Sequence, residues 1–154
     1  MRALHVGVVG AGDAGPELRE EARRVGAALA RGGAVVVCGG LGGVMAGACQ
    51  GAWEAEGLAV AVLPGAEPRQ ANPWARVVVA TGLGHARNAV VVQSADAVVA
   101  LAGSWGTLSE VALALKAGRP VVGLGAWSGV EGVRPAGSPE EAAALALKLA
   151  GERV

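Results

Sequence analysis

The chain has 154 residues, 53% of them hydrophobic but none Phe or Tyr, which implies one domain with a core of Val, Leu and Ala. Thirteen basic and thirteen acidic residues cancel, and with no basic stripe and four scattered tryptophans the chain is not expected to bind nucleic acid. No apolar stretch reaches membrane-spanning length without Gly or a charge, no signal-peptide layout opens the chain, and Cys38 and Cys49 lack CxxC spacing or a nearby His, so the reading is a cytoplasmic protein with no membrane contact, no metal site and two reduced, mostly buried thiols.

The pattern then alternates strand and helix. LHVGVVG (4–10) is an apolar run suited to a strand buried on both faces. After the loop AGDAG, the residues Leu18, Ala22, Val25 and Leu29 make one face of a helix over 16–31. AVVVCGG (34–40) is a second buried strand. GVMAGACQGAWEAEG (43–57) reads as a helix whose glycines weaken it intrinsically, so that close packing must hold it. LAVAVLP (58–64) is a third strand, followed by a polar loop (65–74) with no helical signal. RVVVA (76–80) is a fourth strand, and TGLGHARNAVVVQSAD (81–96) holds a turn and a helix of about three turns. AVVALAG (97–103) is the fifth strand. TLSEVALALKAG (107–118) is a helix with Leu108, Val111, Ala112 and Leu115 facing inward. RPVVGLG (119–125) is the sixth strand, and a short edge strand near 130–133 precedes the last helix. That helix opens with Ser138-Pro139-Glu140-Glu141, a capping box with Pro at the first helical position.

Six buried strands interleaved with helices predict an α/β, Rossmann-like, doubly wound parallel sheet of six or seven strands with helices on both faces, all in one domain (1–154). The helix-free loop at 65–74 is expected to span the midpoint of the sheet, where strand order reverses and ligands bind. On the carboxyl edge fall GAGDAG (10–15), GGLGG (39–43), TGLGHARN (81–88) and GSWGT (103–107). Glycine lets the backbone approach a ligand, and each following helix offers unpaired N–H groups, so a phosphate-bearing ligand is expected there. The first loop is no dinucleotide fingerprint, because the second strand carries no acidic residue at its tip, and neither of the two lysines, Lys116 and Lys148, lies in a P-loop.

Two residues carry the chemistry. Arg87 suits a bidentate grip on phosphate, or else it is a surface residue tied to Asp96 or Glu110. Glu110 completes a capping box with Thr107, worth about 1 kcal/mol, and also looks toward the ligand edge; the sequence leaves both roles open. Trp105 is either a ring contact for a ligand or a subunit contact.

GGLGGVMAGA (39–48), TGLGHARN (81–88) and ADAVVALAGSWGTLSEVALALKAGRPVVGL (95–124) resemble the Rossmann-like superfamily once labelled lysine decarboxylases. This superfamily includes the LOG cytokinin-activating phosphoribohydrolases and the molybdenum-cofactor carrier proteins. The resemblance runs from residue 4 to about 125. It equates Arg87 and Glu110 with the catalytic pair of the LOG enzymes, and Gly106-Thr107 with their Gly-Thr. The LOG motif PGGxGTxxE has Ala102 for its proline and Ser104 for its second glycine here, and Asn88 replaces the usual lysine after the arginine. TGLGHARN is nearer the branch holding the cofactor carriers and uncharacterised nucleotide-binding proteins. Lysine decarboxylation is excluded, since neither lysine lies at the site.

The resulting expectation is a carrier or sensor for a phosphorylated nucleotide-like or pterin-like ligand, with no cofactor required beyond that ligand and with a homo-oligomer, dimer or tetramer, as the assembly. The alternative is a phosphoribohydrolase cleaving the N-glycosidic bond of nucleoside 5′-monophosphates. The expected ligand-binding residues are Gly12, Gly39, Gly40, Gly42, Gly43, Met45, Gly103, Ser104, Gly106 and Thr107, with Arg87 and Glu110 as the catalytic pair and Trp105 as a ring contact.

Overall fold

The short Val- and Ala-rich runs pair side by side as seven parallel strands in the computed structural model, which describes residues 1–154. They are β1 (His5–Val9), β2 (Val35–Cys38), β3 (Ala59–Leu63), β4 (Val77–Ala80), β5 (Ala97–Ala100), β6 (Val121–Leu124) and β7 (Val133–Ala136). The order across the sheet is β4-β3-β2-β1-β5-β6-β7. The helices are α1 (Pro16–Arg31), α2 (Val44–Glu54), α3 (Arg87–Gln93), α4 (Trp105–Lys116) and α5 (Pro139–Arg153), with single 3-10 turns at Pro68–Gln70 and Gly84–Ala86. This is the doubly wound α/β architecture that the alternating pattern predicts.

Side chains alternate between two core layers, as the period of two in a strand requires. Val6, Val8 and Val36 enter the layer under α1, α2 and α5, whereas Val9, Val37 and Val98 enter the layer under α3 and α4. Each fully buried valine contributes about 1.5–3 kcal/mol of hydrophobic stabilisation. In place of aromatic bulk, helices α1 and α2 pack at backbone distance. A Cβ on Gly26 would strike the carbonyl of Ala48, and one on Gly51 would strike the carbonyl of Arg23. The glycines that weaken α2 as an isolated helix are thus what lets it dock. Cys38 and Cys49 are free and buried in the same layer, their sulfurs 3.3 Å apart. Ser138 caps α5 as expected, its hydroxyl accepting from the Glu141 N–H at 3.1 Å.

Four expectations are corrected. Strand order reverses between β1 and β5, so the loop at 65–74, which joins β3 to the edge strand β4, lies away from the midpoint. It carries a 3-10 turn and braces the second glycine loop, with Asn72 Nδ2 donating to the carbonyls of Gly40 and Leu41 at 3.3 and 3.1 Å. Strand β4 is not buried on both faces: Val77 and Val79 are exposed because no helix covers that edge. Helix α3 has two turns, not three, because the 3-10 turn occupies residues 84–86. The edge strand before α5 is β7, at Val133–Ala136 and so slightly later than 130–133.

Candidate functional site

The loops leaving β1 and β5 part where the strand order reverses, and a cleft of about 300 Å³ opens there at the carboxyl ends of the strands. The backbone fixes its frame. Ala11 N–H donates to the Ala102 carbonyl at 2.8 Å, which joins the two loops, and Val44 N–H donates to the Ala11 carbonyl at 2.9 Å, which pins the start of α2 to the first loop. Gly43 makes the second contact feasible: its φ is +60° and a Cβ would collide with the Ala11 carbonyl.

Helix α4 begins two residues earlier than its sequence pattern suggests. Ser104 is the N-cap, with no side-chain cap bond, and its carbonyl accepts the first helical bond from Leu108 N–H at 2.9 Å. The N–H groups of Trp105, Gly106 and Thr107 therefore have no acceptor within the helix. Thr107 lies inside the first turn, buried, with its hydroxyl tucked under Gly103. The expected capping box between Thr107 and Glu110 does not form. The inward stripe shifts with the helix start: Val111 and Ala114 are buried, while Ala112 is exposed.

Freed from capping, Glu110 projects from α4 into the cleft and is 9% exposed. Burial pushes its carboxyl up to about 7, against the opposing pull of Arg87. Arg87 does not pair with it. Its Nη1 donates to the carbonyls of Gly39 at 2.8 Å and Val62 at 3.3 Å, while its Nε is buried without a partner, and burial lowers its pKa. Nor does Arg87 reach Asp96, which Arg2 holds instead through two hydrogen bonds of 2.7 and 2.8 Å. Asn88, 8% exposed, joins α3 to α4 by donating to Ser109 Oγ at 3.1 Å.

The sequence matches the SLOG cluster4 family over residues 3–148. The chain belongs to the SLOG cluster4 family. It is 43% identical over 142 residues to an uncharacterised protein of Archaeoglobus fulgidus, covering 92% of this chain and 93% of that one. Among solved structures it is similar to the molybdenum cofactor binding protein of Rippkaea orientalis, with a TM-score of 0.90 and 37% identity over 97% of this chain and 98% of that chain. It is also similar to the molybdenum cofactor carrier protein of Chlamydomonas reinhardtii, with a TM-score of 0.88 and 33% identity over 97% and 99% of the two chains. The resemblance seen in TGLGHARN and the Gly-Thr-x-x-Glu block therefore extends over the whole fold.

In this SLOG cluster4 chain, the cleft is lined by Gly12, Met45, Ser104, Gly106 and Thr107 of the expected ligand set, together with Arg87 and Glu110. Gly39, Gly40, Gly42, Gly43 and Gly103 do not line it. Gly39, Gly40 and Gly43 are buried beneath the wall, and the Gly40 N–H is directed to Cys38 Sγ at 3.4 Å. Trp105 is 82% exposed and turns to a separate apolar hollow with Leu108 and Trp127. Five lining residues were not singled out as ligand contacts: Gly10, Ala11, Asp13, His85 and Asn88. The signal for Asn88 was present, since it follows Arg87 directly in TGLGHARN.

Proposed function

We propose that the chain carries a phosphorylated pterin-like ligand, the molybdenum cofactor, in the cleft between the β1 and β5 loops, and that it holds this cargo without cleaving it. The observation that carries this reading is the whole-length likeness to two proteins named as binding or carrying that cofactor. The local chemistry fits. The start of α4 offers N–H groups and the positive end of a helix dipole to a phosphate. Gly106 lines the cleft and has nothing within 4 Å of where a Cβ would stand, which leaves room for a phosphate oxygen near the backbone. Arg87 adds positive charge at the floor. A volume of about 300 Å³ suits a small ligand that protrudes in part. Self-association into a dimer or tetramer belongs to the same proposal, and the exposed Val77 and Val79 on β4 support it.

The test is to purify the protein from a host that makes the cofactor and to quantify molybdenum and released pterin against protein. Both should co-purify in near-equal amounts, and Arg87→Ala should reduce both. Molybdenum and pterin no higher than in a mock purification would end the carrier reading.

One observation favours a second reading. Glu110 is buried beside Arg87 with its carboxyl raised to about 7, the pattern of a group tuned for acid–base or charge-stabilising work. On that reading the carboxylate stabilises positive charge developing on a ribose while Arg87 holds the phosphate or the departing base. Release of free base from nucleoside 5′-monophosphates by the wild type, lost by orders of magnitude in Glu110→Gln, would establish it.

A further inference from the structure

The geometry points to Glu110 as the residue that selects the ligand's ring, by accepting hydrogen bonds from a heterocycle edge that presents a ring N–H beside an exocyclic amino group, the 2-amino-4-oxopyrimidine edge shared by pterins and guanine. This deepens the proposed carrier function and rests on it.

Glu110 reaches no donor of its own protein. It takes part in none of the side-chain hydrogen bonds that hold the neighbouring residues, and none of the ion pairs of the chain includes it. Arg87, nearby in the cleft, does not pair with it and directs Nη1 to two main-chain carbonyls. A carboxylate nine-tenths buried and without a donor costs stability, and it accepts only. The adjacent Asn88 gives one N–H of Nδ2 to Ser109 Oγ and keeps Oδ1 as an acceptor and one N–H as a donor. The buried carboxylate of Glu110 thus wants donors from the ligand.

One turn earlier on the same helix the polarity is the opposite. The first turn of α4 presents unpaired N–H groups, which suit an anion. A phosphate placed against Glu110 would meet like charge in a poorly solvated site. The cleft therefore orients a ligand with its phosphate toward the first turn of α4 and its donor edge toward Glu110. Two parallel N–H···O bonds to one carboxylate require adjacent donors on the ring. The pterin and guanine edge has them; adenine does not, and lumazine, with an oxo group in place of the 2-amino group, has lost the exocyclic donor. Burial holds the empty carboxyl near 7, and such an edge would return it to the ionised form.

The experiment is calorimetric titration of the full chain with 6-hydroxymethylpterin phosphate and its lumazine counterpart, and in parallel with GMP and AMP. The pterin should bind at least about tenfold tighter than the lumazine, the loss expected when a buried acceptor is left without its donor. GMP should exceed AMP in the same direction if the cleft accepts ribose; binding of the pterin alone assigns the site to pterins. In Glu110→Gln the preference should fall to within about twofold, because the carboxamide replaces one acceptor with a donor. The wild-type comparison stands even without the variant. Equal pterin and lumazine affinities overturn the inference while leaving the carrier reading intact, as does a preference that survives in Glu110→Gln. A full preference in a protein that never acquires molybdenum in cells overturns the carrier reading and keeps the inference. Absence of binding by all four compounds overturns both.

Discussion

Two carboxylates stand at opposite ends of β5, and the protein treats them in opposite ways. Asp96, just before the strand, is 2% exposed, is gripped by Arg2, and accepts the His5 N–H at 2.8 Å. The Arg2 hydrogen bonds hold its carboxyl at about 2. Glu110, after the strand, is nearly as buried and has no partner, and burial raises it to about 7. Burial alone therefore does not mark a structural acid. The partners do. At the amino edge of the sheet the charge is used to hold the chain's first residues, and at the carboxyl edge it faces the cleft.

The largest expected effect comes from removing the unpaired charge. An acid whose folded pKa lies above its unfolded value favours folding only while protonated, so stability is lost as pH rises from about 4.5 to 7. Glu110→Gln should therefore stabilise the ligand-free protein by about 2 kcal/mol at pH 9 and by almost nothing at pH 4, measured by urea unfolding. A destabilised variant at pH 9 would mean that Glu110 has a protein partner after all.

Asp96→Asn should act with the reverse sign. Its folded pKa lies below the unfolded value, so its contribution is present above about 4 and fades as pH falls toward 2. The loss should be about 1–2 kcal/mol at pH 7, kept modest by the half-exposed Arg2 partner. The same loss at pH 2 would show that packing, and not charge, is responsible. Smallest of all is Trp105→Ala, at the exposed start of α4. Stability should move by less than about 0.5 kcal/mol. A larger loss in thermal melts would place that turn with Asp96 among the structural parts.

Much of this was legible in the chain. Each strand is an apolar run that stops at a glycine or polar turn, and α1 carries its stripe openly in Leu18, Ala22, Val25 and Leu29. Strand order was not legible, because β4 reads like its buried neighbours while lying at an edge; nothing in RVVVA reports that no helix covers it. The site was half legible. Arg87 and Glu110 converge on one cleft, as their loops suggested. The capping reading of Glu110 failed because Ser104 and Thr107 stand three residues apart and either can open a helix. The start fell at Ser104, and the glutamate that seemed to close a box became the free carboxylate. The glycine pattern likewise marks where backbones crowd, and at Gly26, Gly43 and Gly51 what crowds is other main chain.

The seam between α1 and α2 has a consequence for anyone screening variants. Where main chain touches main chain at Gly26 and Gly51, no side chain stands ready to absorb a change. A methyl added there must wedge the helices apart, and α2 carries that displacement along its length to Met45 at the cleft. Substitutions at these two positions would surface in a selection for lost ligand retention although they touch no ligand, and they would be mistaken for contact residues unless their distance from the cleft is kept in view.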